Sequence, residues 1–455
     1  MTSVGPSAGE GVVGRSTGAM GTRPVGFGEF VRTAARRDGL VVQPRMGFDS
    51  PERMRAGLMA TKHARATTVG TITLDSYTRV GDLVAVETAL ADGMPLNGYP
   101  IVTHLAETTA GVLDGLRDDD FPVQVRHGSA VPGDIVSALV RLRIDATEGG
   151  PVSYCLPYGR TPLAESVRNW ADAAARFTAL RDFGVEPHVE TFGGCMLGQL
   201  CPPSQLVAIS VLEALFFAAN GIRSISVSYA QQTNHEQDVE AVAALRRLCG
   251  ELLRVADWHV VIYAYMGAYP TTPAGAYRLL GKAAELAVTT GSERLIVKTV
   301  AESRRIPTIA ENVAALEHAA AAAAANARAA GTAPVDTQTY AEARALVDAV
   351  LDLAGDVGTA LLRAFERGYL DIPYCLHPDN AGRTRSHLDA RGRLCWSDLG
   401  NLPLRHLVAP TGGRHVTSSG LLADLSYVRR AYDGEPELPG LPDHHPVSLP
   451  ASPER

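Results

Sequence analysis

Between residues 40 and 299 the sequence repeats one phrase: a short β-type run ends on polar residues, and a segment long enough for an amphipathic helix follows. Strands separated by helices point to a parallel sheet with the helices packed outside it. The strand candidates are LVVQPR (40–45), TVGTITLD (68–75), GYPIVTH (98–104), FPVQVRHG (121–128), LRIDATE (142–148), EPHVETFG (186–193), SISVSYAQ (224–231), HVVIYAYMG (259–267) and RLIVKT (294–299). Helical text lies between them, for example at 166–184 and 236–256. Eight such units close a (β/α)8 barrel in roughly 250 residues. Nine candidates compete for those eight places, so one is wrong or lies outside the barrel. An open, doubly wound sheet fits the same alternation. No G-x-G-x-x-G follows the first strand, which weakens a dinucleotide reading.

Four segments are expected. Residues 1–25 are Gly-, Ser- and Thr-rich and read as a disordered tail, and 26–310 as the barrel. A helical and irregular extension follows at 311–432, then a Pro-rich tail at 433–455. Thr308 and Glu311 have the spacing of a capping box and start an Ala-rich helix expected to reach about Ala330. A further helix is expected near 339–367, and irregular structure over 371–404.

Composition narrows the classes of function. A net charge of −7 gives no basic footprint, which argues against a nucleic-acid partner. No apolar run is long enough to span a bilayer, and the N-terminal residues lack the apolar centre of a signal peptide. Six cysteines without C-x-x-C spacing suit a reducing cytoplasm.

In a barrel the chemistry sits where strands end. Arg45, Arg79 and Arg126 stand at or just beyond the ends of three different strand candidates. Converging arginines need anions, and a guanidinium fork grips a carboxylate with two parallel bonds. Glu148, at the end of another strand, is then suited to a substrate ammonium. An amino dicarboxylic acid would occupy all four groups. The plainer alternative is structural pairing, Asp75 with Arg79 and Glu148 with Arg126. Around Glu148, the apolar run Ile135 to Ile144 opens onto Gly149, Gly150, Tyr154 and Tyr158. The glycines would let a ligand or another backbone come close, and the tyrosines would wall a pocket. A surface loop with a capping glutamate has the same composition.

The phrases VVQPRMG, TLDSYTR, LNGYP, VQVRHG, EGGPVSYCLPY, QDVEAV, IVKTVAESRRIPT, DNAG and LGNLPL occur in one order from about residue 29 to about 405. Together they resemble the epsilon, catalytic chain of glutamate mutase, also called methylaspartate mutase. The resemblance implies a (β/α)8 barrel and the radical interconversion of L-glutamate and (2S,3S)-3-methylaspartate with adenosylcobalamin. It implies substrate-holding roles for Arg45, Arg79 and Arg126, an ammonium contact for Glu148, and substrate-site tyrosines at Tyr154 and Tyr158. Lys298 and Glu302 match the pair that holds the adenosyl ribose. The text departs from the family's at VETFGGCMLGQ, at YAQQTNHEQD, and at Arg304 and Arg305 within VAESRRIPT. Those changes touch the cofactor side more than the substrate clamp.

Cobalamin bound with its base displaced needs a histidine in D-x-H-x-x-G. The nearest text, DWHVVI (257–262), has Ile262 where the glycine belongs, so His259 reads as structural. In the family that histidine lies on a separate small subunit. The resemblance therefore implies a small cobalamin-binding partner, and a dimer of this chain within a heterotetramer. Two other readings stay open: a metal-dependent hydrolase or lyase built on His104, His127 and Glu148, and a non-catalytic chain that binds amino acids.

Overall fold

The structure, a computed structural model, describes residues 25–157, 159–195, 200–326, 337–409 and 417–434. Tyr158, nearly all of both expected tails, and the end of the Ala-rich segment beyond Asn326 lie outside the described residues.

Eight parallel strands form one sheet: β1 Val41–Gln43, β2 Gly70–Thr73, β3 Val123–Arg126, β4 Ala146–Gly149, β5 His188–Thr191, β6 Ser224–Ala230, β7 Asp257–Tyr263 and β8 Arg294–Ile296. Their order is β1-β8-β7-β6-β5-β4-β3-β2. A parallel bridge from Val42 to Thr68 brings the two ends together, so the sheet closes as a barrel and not as a doubly wound layer. At the mouth of that seam the Thr73 amide donates to the Met46 carbonyl at 2.8 Å. Gly47 permits the approach, since a Cβ there would lie 2.2 Å from the Thr73 carbonyl oxygen.

The surplus strand candidate is 98–104. Only Tyr99 pairs, in one bridge to Leu74, and the chain then turns away. Its β-type residues serve as packing instead: Tyr99 is buried, and its hydroxyl bonds Thr109. The apolar run before Glu148 is also not all strand. Residues from Gly133 to Leu142 form a helix whose apolar face packs inward, and β4 begins only at Ala146. Three or four apolar residues in a row fit either element, and here the helical spacing prevailed.

Helices follow the strands on the outside, including Pro51–Lys62, Leu163–Phe177, Pro203–Ala219, His235–Leu252 and Pro273–Thr289. Helix Ile309–Asn326 follows β8 and packs beside Pro273–Thr289, the place of a barrel's last helix. The expected capping box starts it: Thr308 N–H donates to Glu311 at 2.8 Å, and Glu311 N–H to the Thr308 hydroxyl at 3.2 Å. The single helix expected near 339–367 is two, Gln338–Leu351 and Val357–Arg367, with Asp356 capping the second. A hairpin, β9 Arg385–Leu388 with β10 Leu394–Asp398, gives order to the stretch expected to be irregular. Leu346, Phe365 and Trp396 of the extension join the same apolar core as the barrel strands. No helix among the described residues is long and apolar enough to cross a membrane.

Helix Phe27–Asp38 closes the barrel's lower end. Phe27 inserts its ring beneath the strands, 5.1 Å from His188 and 5.0 Å from the Arg294 guanidinium. The interior above it is polar. Gln43, Gln124, Glu190, Ser226 and Arg294 form one hydrogen-bonded layer, with His188 and His259 stacked below at 5.2 Å. Burial, followed by the charge of Arg294, holds both imidazoles neutral, with His259 in the structural position expected of it.

Candidate active site

The strand ends open into a cavity of about 840 Å³. Arg45, Arg79, Arg126, Glu148, Tyr154, Lys298 and Glu302 all line it. Seven of the eight candidate residues therefore meet in one place, and Tyr158 lies outside the described residues.

Each arrives by a different local route. Arg45 follows β1 and pairs with Glu302 at 3.1 Å. Arg79 rides on the short helix Ser76–Val80, capped by Asp75, whose carboxylate accepts from the Tyr77 and Thr78 amides at 3.0 and 2.9 Å. Asp75 is thus a cap and not a partner for Arg79, which has no ion pair among the described residues. The Arg79 side chain leans over the end of β3, where a Cβ on Gly128 would meet its guanidinium at 3.5 Å.

Arg126 and Glu148 do pair, Nε to Oε2 at 2.7 Å, at 4% and 2% exposure. Burial works against the Arg126 charge, but Glu148 and the neighbouring tyrosines and Glu190 outweigh it and hold the guanidinium protonated. The Tyr154 hydroxyl donates to the other Glu148 oxygen, and Tyr263 at the end of β7 donates to Oε2 at 2.7 Å. Burial first, and Glu148 second, push the Tyr154 phenol well above its ordinary range, so it remains a donor.

The turn carrying Tyr154 is fixed from behind. The Glu213 carboxylate accepts from the Val152 and Ser153 amides at 3.1 and 2.9 Å and from the Ser153 hydroxyl. Burial raises this carboxyl to about 7 in spite of those bonds. Gly149 (φ 141°) and Gly150 make room for the protein's own side chains and not for a ligand or backbone. A Cβ on Gly149 would lie 2.3 Å from the Trp170 ring, and one on Gly150 2.1 Å from the Glu213 carboxyl.

His127 stacks on Trp170 at 5.7 Å and accepts from the Ser129 amide at Nδ1, 3.2 Å. Burial, then Arg79 and Arg126, lowers it to about 3, so it is a neutral ring whose proton sits on Nε2. That Nε2 is buried and has no hydrogen-bond partner among the described residues, and His127 lines the cavity. His104 packs against Tyr99 and is absent from the lining. Among the described residues no three of His, Cys, Asp and Glu are grouped to hold a metal.

Lys298 follows β8, its ammonium 4.5 Å from the centre of the Tyr269 ring. Burial lowers it to about 8, with Glu302 opposing and Arg45 assisting. Glu302 also accepts from the Thr299 amide at 2.9 Å, capping the turn Val300–Ser303. Val80, Met266, Ile306 and Pro307 add an apolar rim, of which Val80 is 71% and Ile306 50% exposed. Arg305, one of the two extra arginines, reaches the rim but pairs with Glu311. Four basic side chains, Arg45, Arg79, Arg126 and Lys298, thus face two acidic ones, Glu148 and Glu302. A site with surplus cations and one carboxylate beneath them suits a dianion that also carries an ammonium.

Glu190, Tyr263 and Glu213 were not foreseen. Their roles depend on which strands meet across the barrel, and a glutamate inside HVET reads locally as an outward polar residue.

A profile of the family described as Methylaspartate mutase E chain (MutE) matches residues 24–421. The glutamate mutase epsilon subunit of Haloarcula marismortui is 30% identical over 390 residues, 83% of this chain and 79% of that protein. That of Treponema denticola is 30% identical over 352 residues, 73% of this chain and 71% of that protein. Among solved structures, the spore coat polysaccharide biosynthesis protein spsE of Bacillus subtilis aligns at 12% identity over 66% of this chain and 72% of its own. The TM-score is 0.36, so the barrel reading rests on strand order and not on that likeness.

Proposed function

The chain belongs to the methylaspartate mutase E chain family, and from that premise we propose that it is the large catalytic subunit of a glutamate mutase. The reaction is the interconversion of L-glutamate and (2S,3S)-3-methylaspartate. The observation that carries this reading is the meeting of three arginines, Arg45 and Arg126 from strand ends and Arg79 from the short helix after β2, above one buried carboxylate. Arg45, Arg79 and Arg126 bind the two substrate carboxylates, and Glu148 accepts from the ammonium. Tyr154, already bonded to Glu148, keeps that carboxylate aimed, and Tyr158 is assigned a substrate contact on the family resemblance alone. Fixing a charged substrate at several points leaves only the migrating fragment free to move.

Adenosylcobalamin, when bound, supplies radical chemistry through its cobalt–carbon bond. The residues at the cavity mouth fit it: an exposed apolar rim of Val80 and Ile306 suits a broad apolar disc, and Lys298 and Glu302 suit ribose hydroxyls. No D-x-H-x-x-G occurs in the sequence. The lower-ligand histidine is therefore assigned to a small cobalamin-binding subunit, in a heterotetramer built on a dimer of this chain. The test is to combine the purified chain with such a subunit, adenosylcobalamin and L-glutamate, and follow 3-methylaspartate by proton NMR. An assembled complex that forms none would overturn the reading.

A further inference from the structure

Glu148 is held by three groups: the Arg126 guanidinium, the Tyr154 hydroxyl and the Tyr263 hydroxyl. The substrate reading above asks Arg126 to serve a substrate carboxylate. Arg126 then shares or gives up its grip on Glu148, and something else must keep that carboxylate in place beneath the ammonium.

The Tyr263 hydroxyl is suited to this. Its single proton serves one carboxylate at a time, Glu148 Oε2 at 2.7 Å or Glu190 Oε1, and because Glu190 has other donors the proton is free for Glu148; the oxygen accepts from Arg126 Nη2 at 3.3 Å. Glu190 belongs to the layer below, and three other strands fix it there. Arg294 of β8 donates to its carboxylate, and so do Gln124 of β3 and Ser226 of β6, each of these two at 3.2 Å. Gln43 of β1 and Gln124 hold the Arg294 guanidinium in turn. Both Glu190 and Arg294 are at 0% exposure. A buried ion pair is a poor source of stability compared with apolar packing of the same volume. A buried network of many mutual hydrogen bonds is, however, stiff. What this one adds is a rigid connection from the barrel floor to the single carboxylate of the substrate clamp.

We propose that Tyr263 and Glu190 are positioning residues, a buried pier that keeps Glu148 aimed at the substrate ammonium once Arg126 engages a carboxylate. This rests on the reading of Glu148 as the ammonium's partner. Neither residue lines the cavity, and the Tyr263 contact with Arg126 at 3.3 Å is weak beside that with Glu148 at 2.7 Å, so loss of the pier weighs more on ligands that carry an amino group.

The experiment uses the assembled complex with adenosylcobalamin and compares L-glutamate with glutarate, which lacks the ammonium. Tyr263→Phe removes one oxygen. Affinity for L-glutamate is expected to fall on the order of tenfold or more, as for a lost bond to a charged group, with glutarate affected less than about twofold. In a cycle with Glu148→Gln, the Tyr263→Phe loss should largely vanish, because the two act through one carboxylate. Equal losses for both ligands, or unchanged affinity for both, would overturn the pier. If Glu148→Gln alone treats the two ligands alike, the ammonium reading itself is what fails, and the pier falls with it. Should Tyr263→Phe not fold, as read by circular dichroism, the paired change Glu190→Gln with Arg294→Met leaves no buried charge unpaired. It must show the same discrimination, or the proposal is wrong.

Discussion

Two arginines of this barrel, Arg294 and Arg126, sit about one layer apart and are both buried, yet their surroundings differ in kind. Arg294 lies in the buried lower layer, where Glu190, Gln43, Gln124 and Ser226 account for its guanidinium donors at Nη1 and Nη2. Arg126 lies at the floor of a cavity of about 840 Å³, beside Arg79, Arg45 and Lys298, with Glu148 as its one close carboxylate. The lower layer balances its charges within the protein. The upper one leaves cations in excess. That contrast separates charge used to hold the fold together from charge waiting for a ligand, and burial alone does not separate them.

The largest effect that tests the contrast is on stability. Arg294→Met leaves Glu190 buried without its cation, which costs roughly 3–5 kcal/mol when one partner of a buried pair is removed. Adding Glu190→Gln should recover much of the loss. Arg79→Met, a charge with no ion pair among the described residues, should shift stability within about 0.5 kcal/mol. Thermal and urea unfolding of the variants would measure all three. An Arg294→Met protein as stable as wild type would erase the distinction.

The next effect falls on turnover. Arg126→Lys keeps the charge but loses the planar fork, so a two-point grip on a carboxylate becomes a single contact. The expected loss is roughly 1.5–3 kcal/mol in kcat/KM, with unfolding nearly unchanged because a lysine can still face Glu148. Steady-state kinetics with L-glutamate would check it. A variant with wild-type kcat/KM would place Arg126 among the structural arginines, with Arg294.

The upper layer was far more legible in the sequence than the lower. Arg45, Arg126, Glu148 and Lys298 stand at or just past strand ends, and a barrel gathers strand ends without any knowledge of pairing. Arg79 was found the same way, although a short helix capped by Asp75 carries it. Glu190 and Arg294 are different, because each lies within its strand and bonds across the interior. Their contact depends on β5 and β8 facing one another after closure, which periodicity along either strand does not encode. The segment 98–104 misled for a related reason. Its β-type residues have strand chemistry, but one bridge to Leu74 is all the sheet offers them. At Gly149 and Gly150 the need for glycine was visible, and the crowding groups, Trp170 and Glu213, were not.

The smallest effect concerns Lys298, the one cation of the upper layer that the protein itself partly disfavours. The chain has three lysines. Lys62 and Lys282 form ion pairs with Asp118 and Glu285 at the surface. Lys298 lines the cavity, and burial lowers it from 10.5 to about 8, with Arg45 adding to the effect and Glu302 opposing it. Between these two values the unfolded chain holds a proton that the folded chain has released. This group's contribution to stability is therefore fully present above 10.5 and is lost as pH falls through about 8. Its amine should also acylate far sooner than the other two as pH rises. Brief labelling with acetic anhydride across a pH series, read by peptide mass spectrometry, is expected to give a midpoint near 8 at Lys298. Glu302→Gln removes the opposing charge and should move that midpoint lower, because a nearby anion favours the ammonium. A midpoint that stays fixed would mean that Glu302 serves only as the cap of its own turn, whereas a wild-type midpoint near 10.5 would mean that the mouth of the cavity holds a solvated lysine.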